Sequence, residues 1–482
     1  MKNSLTNIIA SLTATEKRTF KKHFNGTKSE KQYLKLFDFI CNSSDYSNEK
    51  AGKKLGVSQV RVLKFRLHEH LLTSLSRNYT LNEEYKRPDI NQIKVLQSKR
   101  LFEDAAVLLE KQLKIAKEIE DFYLILQLLD IKKGLLKINQ GEKYNTAILL
   151  AIHREKEKYL RILNHTQKLE KLIGLLLQTR IEHTPDRTGK IPKLFAKYLE
   201  EYKLFMNEKI LETTTQKYFY YEASFLQSDH EQNQKKAIEY SLKKIELYRS
   251  NSKSVVLTLA AYAASLNNHL VLLFKNDLLN ETPPFIKLFR ELKSPDLNLQ
   301  THIFYSSNVN YTNYLIVHEE ITYNEATLSA IENQFDKMYQ RNLEKEMTLK
   351  YNIGVLYFRL KNYKKARRIF YKLLTDSAQQ NHIRFYAHVL FLISLFELKE
   401  IDVFEKESIS FINLQKKKGL EYIFEITLFD FLKHVNSKSN SQKEIKQEFK
   451  TFFESTASRM LKGKSKQALD YFDFRRYLQS QF

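Results

Sequence analysis

Apolar residues along this chain recur three and four positions apart, in runs broken by short polar stretches. That spacing sets one face of an α-helix into a core. Tyr33, Leu34, Phe37 and Ile40 form one such face, and Phe20 and Phe24 another. Capping boxes at Thr13 with Glu16 and Thr27 with Glu30 open these two helices. A polar stretch, Asn42 to Asn48, precedes a third helix and a long fourth one from about Gln59 to Arg77. Pro88 ends this group, and Asp89 is placed to cap the next helix. Beyond it the pattern becomes one of helix pairs. Phe122 to Leu136 and Tyr159 to Ile181 read as helices without a sharper motif. Loops are expected at His183 to Pro192, Asn280 to Pro284 and Ser294 to Asp296, a loose turn at Asn436 to Gln442, and a last helix at Ala468 to Tyr477.

The pair that is best specified is Lys350 to Leu374. Gly354 and Ala366 stand where two helices would cross, with Tyr357, Tyr363 and Phe370 around them. Close crossing requires small residues at the contact. The segment resembles the tetratricopeptide repeat. Weaker copies are Asp89 to Lys117, with Ile93, Leu96, Phe102, Ala105 and Leu109, then Thr215 to Tyr248 around Ala237 and Leu242, then Phe385 to Leu414. Their turns are expected at Gln227 to Gln234 and Lys399 to Asp402. The chain also resembles a group of uncharacterised bacterial helical-repeat proteins, through EKRTF at 16–20, YLKLFD at 33–38 and YFD at 471–473. It departs from them at 65–68, where it reads FRLH. Together these imply an all-α fold, a right-handed superhelix of antiparallel helix pairs preceded by a small helical module. The expected division is 1–87 for the module, 88–435 for the repeat array, and 436–482 for a basic linker with capping helices.

Composition agrees. Among 482 residues only 10 are Gly and 6 Pro, too few for a sheet-rich or doubly wound fold with its many tight turns. The single cysteine, Cys41, excludes an intrachain disulfide and a cysteine-rich zinc site, and it reads as a core residue on an apolar helix face. No signal peptide or spanning segment is legible, so the expected location is cytoplasmic, away from the membrane. The net charge of +23 is uneven. Residues 1–87 carry +9 and residues 436–467 carry +5, leaving +9 for the other 363.

The basic module raises a nucleic-acid question. AGKKLGVSQVRVLKF at 51–65 resembles a helix-turn-helix, with Gly52 in the first helix, Gly56 at the bend and Ser58 as the following cap. In that register Val62 and Phe65 are core. Ser58, Gln59, Arg61 and Lys64 would reach the major groove, with Lys53 and Lys54 near phosphates. Against it, Val60 and Leu63 would then face the bases. The apolar stripes Val60, Leu63, Leu67, Leu71 and Val62, Phe65, Leu72, Leu75 suit a helix buried on two sides instead.

No enzyme signature emerges, and no cofactor or metal is expected. His68 and His70 diverge on a helix, and His318 has no partner histidine four residues away. Arg187 to Lys190 lacks the first glycine and the final hydroxyl of a phosphate loop. The tetratricopeptide resemblance implies instead a groove lined by the first helix of each pair. The residues there would be Thr348, Tyr351, Val355 and Phe358, and in the first repeat Ile90, Lys94 and Gln97. The family's peptide-carboxylate clamps use Lys and Asn at such places; their absence in the best repeat favours an apolar or aromatic anchor. The same residues would otherwise pack on the neighbouring repeat. The leading expectation is a non-enzymatic protein-interaction scaffold with a peptide or helix as partner. The alternative is a transcriptional regulator with DNA-binding residues 1–87 and a repeat domain as sensor.

Overall fold

A computed structural model describes residues 4–22, 28–42, 47–56, 59–81, 89–140, 146–183, 190–250, 253–318, 323–335, 338, 343–376, 382–417, 423–437, 441–460 and 471–482. The described residues contain helices and no strand, so the fold is all-α. The chain packs as two compact units, Met1–Leu160 and Arg161–Phe482.

The first unit holds α1 (Ser4–Ser11), α2 (Ala14–Lys22), α3 (Lys28–Asn42), α4 (Asn48–Leu55), α5 (Val60–Leu81), α6 (Ile90–Ser98), α7 (Phe102–Glu118) and α8 (Phe122–Gln140), and the start of α9 (Thr146–His183). The capping box at the first helix is formed: Glu16 Oε2 accepts from the Thr13 amide at 2.7 Å, and Thr13 Oγ1 accepts from the Glu16 amide at 3.2 Å. Thr27 lies outside the described residues. Phe20, Leu36, Phe37, Ala51, Leu67 and Leu71 close one core among α1 to α5. Asp89 Oδ1 caps α6 by accepting from the Asn91 amide at 2.9 Å. Cys41 is exposed, which corrects its assignment to a core.

The second unit continues with α10 (Lys190–Glu201), α11 (Thr214–His230), α12 (Gln234–Ser250), α13 (Leu259–Lys275), α14 (Thr282–Glu291), α15 (Leu297–Val317), α16 (Glu325–Glu332), α17 (Leu343–Arg359), α18 (Tyr363–Asp376), α19 (His382–Glu397), α20 (Ile401–Lys417), α21 (Ile423–Ser437), α22 (Gln442–Met460) and α23 (Phe474–Gln479). Neighbours in sequence pack as pairs, such as α11 on α12 and α17 on α18. Alternate helices touch as well, so α13, α15, α17 and α19 make one row. Polar side chains tie that row together. Asn310 Nδ2 donates to Asn267 Oδ1 at 3.0 Å, and Asn352 Nδ2 donates to Thr312 Oγ1 at 3.0 Å and Asn313 Oδ1 at 2.7 Å. Buried amides of this kind fix one register, because any other leaves them unsatisfied.

The pairs share a turn. Arg100, Glu120, Gln232, Asp277, Lys361 and Lys399 all adopt φ between 56° and 59°, just past the end of a helix. Each closes the same pattern. At Lys361 the amide donates to the Phe358 carbonyl at 2.9 Å, and the Asn362 amide donates to the Tyr357 carbonyl at 3.0 Å. The following residue often caps the next helix: Asp121, Asn233 and Asn362 accept from the amides of Leu124, Lys236 and Lys365. Left-handed positions are therefore present despite the scarcity of glycine, filled by polar residues at a strain of about 1 kcal/mol each.

Two imidazoles are pinned neutral in this unit. His269 shares a 2.7 Å hydrogen bond with Ser241 Oγ and meets Phe285 edge-on at 4.4 Å. His388 meets Phe411 at 4.6 Å. Burial pulls each down to about 4. Because the folded value lies below the unfolded one, stability is complete above about pH 6.5 and is lost as pH falls toward 4, by on the order of 3 kcal/mol per group. Thermal melts at pH 7 and 4.5 should show a steep loss that His269→Phe makes shallower; an unchanged slope in that variant would refute the assignment.

Candidate functional site

The groove positions expected in the best repeat lie on α17. Thr348 is half-buried, while Tyr351, Val355 and Phe358 are buried. What covers them is a segment of the chain itself. Asp473 Oδ1 accepts from the Arg476 amide at 3.1 Å and starts the short helix α23. Tyr351 OH donates to the Tyr471 carbonyl at 3.0 Å. The Tyr471 ring stacks on Tyr386 at 4.5 Å, and Phe472 and Tyr477 lie 5.4 and 5.7 Å from Phe358. Phe474 is fully buried 5.4 Å from Phe424. Tyr477 OH and Gln481 Nε2 both donate to Glu397 Oε1, at 2.7 and 3.1 Å. The result is an aromatic cleft on α17, α19 and α21, filled from residues 471–481. Tyr351 and Phe358 were expected as groove positions, and the segment that covers them was not expected. The available signal was the aromatic density of Tyr471, Phe472, Phe474, Tyr477 and Phe482.

The floor of the cleft is buried. Burial holds the Tyr351 and Tyr477 hydroxyls well above the usual phenol range. Burial also raises the Glu397 and Glu425 carboxyls, although Tyr477 and Tyr386 donate to them. A carboxyl raised on folding opposes the folded form once ionised, so these two groups favour the folded chain more as pH falls from neutral toward 4.5. Beside the segment a cavity of about 360 Å³ remains, lined by His318, Tyr323, Arg359, Lys361 and Arg476 among others. His318 Nδ1 is shielded there without a hydrogen-bond partner. In the first repeat Ile90 and Gln97 are half-buried and Lys94 is exposed.

In the first unit, Gly56 ends α4 at φ +64°, its amide donating to the Gly52 carbonyl, so the expected bend is formed. The face that α5 buries is not the one the helix-turn-helix register requires. Val60 and Leu63 are 5% and 8% exposed, whereas Val62 and Phe65 are 44% and 57% exposed. The core stripe is Val60, Leu63, Leu67 and Leu71, because those four meet α2 and α3 around Phe20 and Phe37. Val62 and Phe65 as core residues are thus corrected, as is burial of α5 on two sides, since Leu72 is exposed too. Of the expected DNA contacts, Gln59 and Arg61 are exposed and Lys64 is half-buried. Ser58 lies outside the described residues.

Comparison with known proteins gives no relative. No family model, no curated protein and no solved structure matches the chain.

Other candidate groups are placed as follows. Lys244 is buried between α11 and α12, with its ammonium on the Glu222 carboxylate and over the rings of Tyr218 and Phe225 at 5.6 and 5.7 Å. Burial draws it down to about 8, while the adjacent carboxylate favours the charged form. It faces neither of the two cavities described in this unit. Removing one partner strands the other, so Glu222→Ala should cost about 3–5 kcal/mol and Lys244→Met together with Glu222→Leu far less; equal losses in urea titrations would contradict this. Among the described residues no cluster of His, Cys, Asp and Glu could hold a metal ion, and no helix is long and apolar enough to cross a membrane. Arg187 lies outside the described residues.

Proposed function

We propose that this chain is a non-enzymatic interaction scaffold, a tetratricopeptide-like solenoid whose aromatic cleft on α17, α19 and α21 receives a peptide or helix from a protein partner. The observation that carries the reading is the grip of that cleft on residues 471–481. Aromatic anchors fill its floor, and a tyrosine hydroxyl reads a main-chain carbonyl. A groove recognises a foreign peptide by the same means. The pairwise packing and the close crossing at Gly354 support the repeat architecture. In this reading the chain's own segment stands in for the partner and yields to it.

The test uses a fluorescent peptide of residues 471–482 and the full-length chain. The peptide should bind a Phe474→Ala, Leu478→Ala chain, whose cleft is vacated, and bind the wild-type chain far more weakly. A scrambled peptide should bind neither. If the native peptide also fails on the vacated chain, the cleft is not a peptide receptor.

A DNA-binding regulator is the second reading, supported by the basic exposed face that Arg61 and Arg66 give α5. Burial of Val60 and Leu63 counts against a recognition helix in the required register. Titration with duplex DNA across a salt series separates the two: binding that falls with salt and ignores sequence fits a merely basic surface.

A further inference from the structure

A second cavity, of about 500 Å³, opens on the flank of α15 against α14, away from the aromatic cleft's own residues. Its wall is strongly polarised. Lys287 and Arg290 project from α14, and Lys293 from the residues just after it, along one edge. Neither Lys287 nor Lys293 pairs with a carboxylate among the described residues, and the one acid in the lining is Glu291. The Arg290 guanidinium lies 4.1 Å above the Tyr311 ring, which holds it over the opening. All three cations are exposed, and together they favour an anion at the opening.

The opposite wall supplies a different chemistry. Asn308, only 6% exposed, donates from Nδ2 to the Phe304 carbonyl of its own helix at 2.8 Å. Its Oδ1 is shielded and has no hydrogen-bond partner. Turning the amide over would set Oδ1 against the Phe304 carbonyl, two acceptors facing each other, so the orientation is determined. A buried acceptor left unpaired costs about 1–3 kcal/mol. A leucine of similar size would avoid that loss, so folding alone does not account for this asparagine.

We propose that this cavity binds a small anion that also carries an N–H donor, with the anionic group on Lys287, Arg290 and Lys293 and the N–H on Asn308 Oδ1. Its volume suits a small organic molecule rather than a bare ion. A carboxylate and a phosphate satisfy the cations equally well; what distinguishes the ligand from a simple anion is the donor.

Calorimetric titration of the full-length chain with three probes tests this: N-acetylglutamate, adenosine monophosphate and inorganic phosphate. At least one of the first two should bind about tenfold or more tightly than phosphate, the gain expected from pairing a shielded acceptor. Whichever binds better assigns the anion to the carboxylate or the phosphate class. Asn308→Leu should reduce that probe to the phosphate level while leaving the melting temperature equal or higher. Arg290→Gln should weaken all three. The proposal is overturned if none binds, if phosphate binds as tightly as the others, if Asn308→Leu keeps the wild-type affinity, or if Asn308→Leu lowers the melting temperature and so serves folding.

Discussion

Gly354→Val is expected to unfold the second unit at a temperature where the wild type is stable. A Cβ built on Gly354 would sit 2.6, 2.9 and 3.1 Å from Cε1, Cζ and Cδ1 of Phe370. That ring is fully buried and backs on Tyr351 at 6.0 Å, so it has nowhere to retreat. In an unpacked helix Gly→Ala would gain about 1 kcal/mol. Here even alanine should lose about 1–3 kcal/mol net, since overpacking a dense core forces side chains off their rotamers. Valine adds two more methyl groups and stiffens χ1, and should lose more than alanine. A melt followed by circular dichroism checks this. Phe370→Leu should recover part of the alanine variant's loss, as contacting residues do not add. A Gly354→Ala chain as stable as the wild type would show that α17 and α18 do not cross here.

The second large effect concerns Phe474. Its ring is fully buried among Phe424, Phe472 and Tyr386. Truncation to alanine removes about 3–5 kcal/mol. Helix α23 spans 6 residues, too few to stand alone in water. Phe474 and Leu478 are the fully buried side chains of the segment, so the loss falls on one of its main anchors, and the segment should leave the cleft while α11 to α22 stay folded. Because the chain contains no tryptophan, Phe482→Trp gives a single reporter. Its emission should shift to the red in the Phe474→Ala background, and trypsin should cut after Arg475 and Arg476 far faster. Unchanged emission and unchanged cleavage would mean that Phe474 does not anchor the segment.

The sequence made the helices legible because their apolar faces are local. It made one crossing legible because Gly354 and Ala366 are small where bulk is otherwise the rule. The remaining pairs are marked by their turns rather than by a crossing motif. Lys361 with Asn362, Gln232 with Asn233 and Glu120 with Asp121 repeat one geometry with differing residues, so glycine, the usual sign of a left-handed position, was absent. In α5 two apolar stripes ran side by side, and only the placement of Phe20 and Phe37 on neighbouring helices decides which is buried. Tyr351, Val355 and Phe358 were expected to line a groove; they are buried, and the segment that covers Tyr351 lies 120 residues away, at Tyr471. Periodicity carries no information about such a long-range contact. The anion cavity escaped notice for the same reason, since Arg290 and Asn308 meet only through the packing of α14 on α15.

The central claim is that residues 471–481 occupy the cleft in the intact chain. Hydrogen exchange on the full-length protein tests it most directly. The amides of Arg476, Tyr477 and Ser480, which donate within α23 or its cap, should exchange far more slowly than in an unfolded chain. The Phe474→Ala variant should release them and also speed exchange in 345–359 and 382–397, the helices uncovered. Exchange of the 474–481 amides at unfolded rates in the wild type would contradict the account, because a six-residue helix owes any protection to the cleft.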